Sequence, residues 1–214
     1  MTEQKPQLPA LKGIFFVTGT DTEVGKTWVS CRLLERAQEA GLSCYGLKPV
    51  AAGCEETAEG WRNDDALQLM AASSVKLPYD TVNPVALKAP IAPHIAAQQE
   101  GKVVTLARLV GYVRGALSAH PADLILIEGA GGWRVPLNDR EMLSALAKEL
   151  ELPVIQVVGM KLGCISHALL TAEAIQKDGL RYAGTMANCF GGMEVQDENL
   201  LTLRQHLPGA FAIL

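Results

Sequence analysis

Apolar residues along this chain gather into short continuous runs, with stretches of helical period between them. The run Gly13-Ile14-Phe15-Phe16-Val17-Thr18 ends in a glycine-rich turn, after which Lys26 to Ala40 carries apolar positions three and four residues apart. That order predicts a strand, a loop and a helix. Further strands are expected over Ser43–Lys48, Ala122–Ile127, Pro153–Val158 and Tyr182–Ala187, and a last one begins at Ala210. Helical spacing is clearest over Arg62–Ala72, Thr105–Ala119, Glu141–Glu149 and Ile165–Lys177. Strands apolar on both faces and separated by helices predict an α/β fold, a parallel sheet flanked by helices on both faces. Residues Leu77–Ala92, interrupted by Pro78, Pro84 and Pro90, follow neither period and read as a surface excursion near the site.

Composition narrows the picture. A chain of 214 residues, 49% of them apolar, can bury one sizeable core, so residues 1–214 are expected to form a single domain. The formal net charge is −4 with both signs interspersed, which leaves no basic face for nucleic acid. No apolar run approaches the roughly 20 residues that span a bilayer, and Met1 to Gly13 lacks the apolar core of a signal peptide. A cytoplasmic protein with no membrane partner is expected. Cys31, Cys44, Cys54, Cys164 and Cys189 are scattered and form no Cys-x-x-Cys pair, so they read as buried thiols. The four histidines show no mutual spacing that points to a metal site and are left unassigned.

Candidate chemistry begins where strands end, which is where open parallel sheets gather ligands. Gly19-Thr20-Asp21-Thr22-Glu23-Val24-Gly25-Lys26-Thr27 follows the first strand and opens the first helix, as a phosphate-binding loop requires. Backbone amides at the helix start can wrap phosphates, Lys26 can reach the outer ones, and the Thr27 hydroxyl can hold Mg2+. Its spelling departs from the usual one, with five residues and not four between Gly19 and Gly25, so that Thr20 stands in the usual glycine place. Magnesium needs further oxygen ligands, and Glu128 meets that need directly after Asp123–Ile127 and before the run Gly129-Ala130-Gly131-Gly132. A solvated glutamate at a strand end is the alternative. Asp65, at a helix start, is a second candidate, although alone it reads more readily as a cap or a solvated charge. Trp133 reads as packing rather than stacking on a base.

Taken together these motifs resemble those of dethiobiotin synthetases, almost from end to end of the chain. The resemblance rests on Gly19 to Thr27, Lys48-Pro49-Val50, Arg62-Asn63-Asp64-Asp65-Ala66, Thr81-Val82-Asn83-Pro84 and Pro93-His94. It continues through Glu128 to Trp133, Gly163-Cys164-Ile165, His167 to Thr171 and Ala187-Asn188. It implies a homodimeric enzyme of the P-loop NTPase type that uses ATP, Mg2+ and CO2 to close the ureido ring on 7,8-diaminopelargonic acid. On this resemblance Lys26 and Lys48 would be catalytic, and Thr22, Glu23, Val24, Gly25, Lys26, Thr27 and Asn188 would bind the nucleotide, Asn188 through its adenine. Thr27, Asp65 and Glu128 would hold the metal. Thr22 and Lys48 would lie beside the substrate, and Gly163, Cys164 and Ile165 would present amides to the substrate carboxylate of the partner subunit. Without the resemblance, Lys48 and Asn188 could equally be solvated or structural polar residues at strand ends.

The chain departs from the family pattern at Ala52, where a hydroxyl is common, and at Ser166, where asparagine is common. The family also tends to continue beyond a strand such as that begun at Ala210, so a shortened C-terminal end is expected. Ala52 and Ser166 keep open a paralogue that acts with ATP on another carboxylate or carbamate. A partitioning-type ATPase switch is disfavoured, because its second lysine would stand where this chain has Asp21.

Overall fold

The computed structural model describes residues 11–214; the sequence reading of the extreme N-terminus falls largely outside them. From the start, the chain forms β1 (Gly13–Gly19), α1 (Lys26–Glu39) and β2 (Cys44–Leu47). An excursion follows with β3 (Val50–Ala51), β4 (Glu55–Thr57), β5 (Gly60–Arg62), α2 (Asp64–Ala71), α3 (Tyr79–Val82), β6 (Val85–Ala86) and α4 (Pro93–Gln99). Regular alternation resumes with α5 (Leu106–Ala119), β7 (Leu124–Glu128), α6 (Ser144–Glu149), β8 (Val154–Gly159) and α7 (Cys164–Lys177). It ends with β9 (Tyr182–Asn188), α8 (Gln196–His206) and β10 (Ala210–Ile213).

The main sheet has six strands in the order β10-β9-β8-β1-β7-β2, all paired in parallel. Successive side chains of a strand point to opposite faces, and the core divides accordingly. Ile125 and Ile127 of β7 join one apolar cluster with residues of α5, α6 and α7, whereas Leu124 and Leu126 join a second with Val29, Leu33, Leu34 and Ala37 of α1. Helices therefore cover both faces, which explains why β7 and β8 are apolar at nearly every position. Strand β1 lies where the order reverses: the chain moves from it to β2 on one side and later to β8 on the other. The carboxyl end of β1 is the switch point at which such sheets hold ligands.

Several boundaries differ from the expected ones for local reasons. Arg62 belongs to a short hairpin with Glu55, and α2 begins only after Asn63, whose side chain accepts a hydrogen bond from the Ala66 amide. Helix α6 starts at Ser144, not Glu141, because the Glu141 carboxylate is engaged with the Leu106 amide and Asn138 Nδ2. Three helices were not anticipated: the single turn α3, inside the excursion, and α4 and α8. Pro93 at the first turn of α4 is a start signal that identifies it. In α8 the apolar spacing is sparse, but acidic Asp197 and Glu198 in the first turn and basic Arg204 and His206 in the last complement the helix dipole. The five cysteines are free thiols, four of them buried. Trp133 is buried edge-on against Phe16, with ring centroids 5.9 Å apart, and its Nε1 donates to Asp178. Among the described residues no helix is long and apolar enough to cross a membrane.

Candidate active site

The phosphate loop joins β1 to α1. Gly25 adopts a left-handed conformation, φ 82°, and a Cβ there would collide with the Asn188 side-chain amide. Asn188, at the end of β9, uses that space to donate from Nδ2 to the Val24 carbonyl at 3.1 Å. In this structure Asn188 therefore anchors the loop itself. Val24 is buried beneath it, while Thr22 and Glu23 are exposed at its outer edge, Glu23 also with positive φ. Asp21 Oδ1 accepts from the Thr22 amide at 2.8 Å. Helix α1 has no side-chain cap, so its first amides, which have no partner within the helix, are open to phosphate oxygens.

Helix phase then sets three side chains. Lys26, Thr27 and Ser30 are all buried, and Thr27 and Ser30, three residues apart, share one face toward β7. Register places β7 beside β1 with Val17 opposite Glu128. Glu128 is 0% exposed and has both carboxylate oxygens engaged. Its Oε1 accepts from Thr27 Oγ1 and from Lys48 Nζ, each at 2.7 Å, and its Oε2 accepts from Ser30 Oγ at 2.7 Å. Sequence reasoning missed Ser30; its place four residues after the loop lysine was the available signal. The glycine run after Glu128 lies against the loop: a Cβ on Gly132 would stand 3.6 Å from the Gly19 and Thr20 carbonyls.

The second lysine arrives from the other side. Lys48 directly follows β2 and is buried, with Nζ donating to Asp65 Oδ2 at 2.7 Å as well as to Glu128. Burial works against its ammonium, but Glu128 and Asp65 outweigh that and raise its pKa. For Asp65 burial is the largest single influence and favours the neutral acid; Lys48 and Thr27 outweigh it, and the net pKa is lowered. Lys26 behaves differently. Burial, followed by repulsion from Lys48, pushes its pKa down to about 8, and its Nζ donates to the Asp21 carbonyl at 3.3 Å.

One expected group stands apart from this cluster. Gly163, φ 93°, precedes α7, which also lacks a side-chain cap; Gly163 is exposed, Cys164 buried and Ile165 partly buried. Lys161, at the base of that loop, pairs with Asp21 of the phosphate loop at 3.1 Å. Ala52 lies after β3, partly buried, and Ser166 is exposed on α7.

Buried hydroxyl and carboxylate groups, two lysines and uncapped helix amides, gathered beyond the ends of parallel strands, define an ATP-handling α/β protein of the P-loop NTPase type. The family model described as an AAA domain matches residues 14–208. The fold is similar to that of a ParA family ATPase from Chlorobium tepidum, with a TM-score of 0.53, 14% identity, and coverage of 95% of this chain and 84% of that one. It is also similar to FtsY of Elizabethkingia anophelis, with a TM-score of 0.51, 16% identity, and coverage of 97% and 60%. Much stronger similarity is to proteins named ATP-dependent dethiobiotin synthetase BioD. The protein from Marinobacter nauticus is 62% identical over 83% of this chain and 75% of its own length. Those from Cellvibrio japonicus and Pseudomonas aeruginosa are 56% and 55% identical, over 92% and 91% of this chain and 86% and 85% of their own lengths. The chain belongs to the dethiobiotin synthetase family.

Proposed function

We propose that this chain, acting as one catalytic domain over residues 1–214, makes dethiobiotin from 7,8-diaminopelargonic acid, CO2 and ATP in the cytoplasm. The observation that carries the reading is the buried Thr27–Glu128–Lys48–Asp65 cluster beside Lys26 in a chain of this family. One amine of the substrate attacks CO2, forming an N–C bond and losing a proton to give a carbamate. A carbamate oxygen then takes the γ-phosphoryl group as the bond to ADP breaks. The second amine attacks the carbamoyl carbon, the C–O bond to phosphate breaks, and the ring closes with release of protons and phosphate. Each stage concentrates negative charge, and fixed cations at the strand ends stabilise it without reorganisation. Lys26 serves the transferred phosphoryl group and Lys48 the carbamate. Amides of the phosphate loop and of the first turn of α1, from Glu23 through Thr27, cradle the phosphates, with Thr22 at the outer edge of the loop beside them.

A magnesium ion fits these residues. Glu128 and Asp65 present hard oxygens on either side of the Lys48 ammonium, and the Thr27 hydroxyl lies 2.7 Å from Glu128, so an oxygen-lined place for a second cation adjoins the lysine. Two carboxylates and a hydroxyl suit Mg2+, which takes its remaining ligands from phosphate and water. When bound, it would neutralise charge on the phosphoryl oxygens. Asn188 is assigned to the adenine as well as to Val24. We further propose a homodimer in which Gly163, Cys164 and Ile165 bind the substrate carboxylate of the partner subunit. Supporting this, Leu162 is 94% exposed at the mouth of an uncapped helix, and Leu170 is exposed further along it.

Incubation of the folded protein with diaminopelargonate, bicarbonate, ATP and Mg2+ should give dethiobiotin by mass spectrometry, with one ADP per product. Absence of product with this full set would overturn the reading. For the shared site, mixing Lys26→Ala subunits with Gly163→Trp subunits should restore turnover; continued inactivity after verified subunit exchange would assign each site to one chain.

A further inference from the structure

The segment Thr81-Val82-Asn83-Pro84 has no part in the chemistry above, yet it touches Lys48 from both sides. The Lys48 amide donates to the Val82 carbonyl at 2.8 Å, and the Lys48 carbonyl accepts from Asn83 Nδ2 at 2.7 Å. Asn83 Oδ1 accepts from the Tyr79 hydroxyl at 2.9 Å, and that hydroxyl accepts from the Asn63 amide at 2.7 Å. Asn63 caps α2 by accepting from the Ala66 amide at 3.2 Å. Two residues into the cap lies Asp65, whose Oδ2 returns to Lys48 Nζ at 2.7 Å. These hydrogen bonds, joined by the main chain from Asn63 to Asp65 and by the Lys48 side chain, form a closed ring from the Lys48 main chain, through Asn83, Tyr79 and Asn63, to the carboxylate that holds the Lys48 ammonium. Asn63, Tyr79 and Asn83 are all buried.

We propose that Tyr79 and Asn83 are positioning residues for the reaction, acting on the Lys48 ammonium by fixing its main chain and its Asp65 partner in one frame. The inference rests on the assignment of Lys48 to the carbamate. A lysine side chain has four flexible carbons, and a strand end alone fixes only its Cα; alignment at a reacting anion requires a tighter hold. The ring supplies it from two directions. Lys26 and the loop amides, which take up most of the nucleotide's charge, are not in the ring, and Asp65 is also held in place by α2 itself, so ATP binding should change much less than turnover.

Tyr79→Phe tests this with the ring of the side chain retained, and Asn83→Ala tests the same link from its other end. Both should lower kcat by ~10-fold with KM for ATP changed less than ~2-fold, as expected when alignment and not binding is lost. Introduced into a Lys48→Ala background, and read in single turnovers with enzyme in excess, Tyr79→Phe should cause no additional loss. Normal kcat in both single variants overturns the proposal. So does an equal loss with and without Lys48, which would mark a general structural role, or a loss expressed mainly in KM for ATP. Should Asn83→Ala not fold, the isosteric Tyr79→Phe decides. Wild-type protein assayed alongside separates the two levels: no product from it defeats the functional reading, whereas normal wild-type turnover with an indifferent Tyr79→Phe defeats only the ring.

Discussion

Two regions build the site by different physical means. On one side, β1, α1 and β7 bring Lys26, Thr27, Ser30 and Glu128 together through strand register and helix phase. On the other, the excursion between β2 and α5 delivers Lys48 and Asp65 through side chains that hydrogen-bond the main chain: Asn63, Tyr79 and Asn83. The electrostatics divide along the same line. Lys48 lies between two carboxylates and keeps its charge, whereas Lys26 is buried with a carbonyl as its hydrogen-bond acceptor and is pushed down to about 8. A lysine held by carboxylates is part of the folded structure as well as of the site. A lysine left without one is held ready for a ligand that brings its own negative charge.

Glu128→Gln should break this arrangement most severely, because Glu128 is the point where the two regions meet. The buried Lys48 would keep only the partly exposed Asp65 as a counter-charge. Removing one member of a buried pair costs about 3 kcal/mol, so urea unfolding should show a loss of that order. Turnover should fall by ~100-fold or more, since the same carboxylate supports both the metal and the hydroxyl of Thr27. Unaltered stability would mean that Asp65 alone compensates Lys48. Next in size, Lys26→Ala should cost a similar factor in turnover yet leave stability within ~1 kcal/mol, because no buried carboxylate loses its partner. A large loss of stability would erase the contrast between the lysines.

The same division governs how much could be read from the sequence. Register and helix phase leave periodic traces, so the sheet, the phosphate loop, Lys26, Thr27 and Glu128 were legible from local spacing alone. Lys48 acquired a role only through resemblance, and without it Asp65 was no more than a second candidate for the metal, since an aspartate after an asparagine cap and a lysine after a strand occur in many solvated settings. Ser30 lay in plain view on the α1 face, but a buried serine in a helix has no pattern until the carboxylate it meets is known. The Asn83–Tyr79–Asn63 chain was illegible because each of its bonds joins residues by side-chain reach and not by period. In α8 only two leucines are buried, so its apolar rhythm was too thin to register.

The depressed pKa of Lys26 gives a smaller effect that sharpens the comparison. Below pH 8 the ammonium is already formed, and ATP affinity should be flat as far as this group is concerned. Above it the free protein must take up a proton to bind, so affinity should fall with pH, by at most ~10-fold per unit. Titration calorimetry in two buffers of different ionisation enthalpy should register that proton uptake above pH 8. Lys26→Arg, whose charge does not titrate, should abolish the uptake. Equal uptake in the variant would move the effect to another group. Stability has the same origin and the opposite slope: the folded state holds Lys26 at a lower pKa than the unfolded chain does, so its contribution rises with pH from about 8 toward the ordinary lysine range.

Smallest of all should be the consequence of Asp21→Asn. Asp21 pairs with Lys161 at the surface, where both side chains are about half exposed, and so links the phosphate loop to the loop before α7. Its pKa is lowered, first by the hydrogen bond from Lys161 and then by that from the Thr22 amide. Asparagine keeps an oxygen for the Thr22 amide and loses only the charge. Exposed pairs of this kind contribute ~0.2–1 kcal/mol and are screened by salt, so unfolding should shift by no more than that and less at high ionic strength. KM for diaminopelargonate should change less than ~2-fold, because the backbone amides assigned to its carboxylate are set by Gly163 and the helix start, not by this contact. A rise of ~10-fold or more, worth about 1.4 kcal/mol, would exceed what a screened surface pair supplies. It would show that the loop before α7 is positioned by the phosphate loop of its own chain, which is hard to reconcile with a carboxylate site that serves the partner subunit.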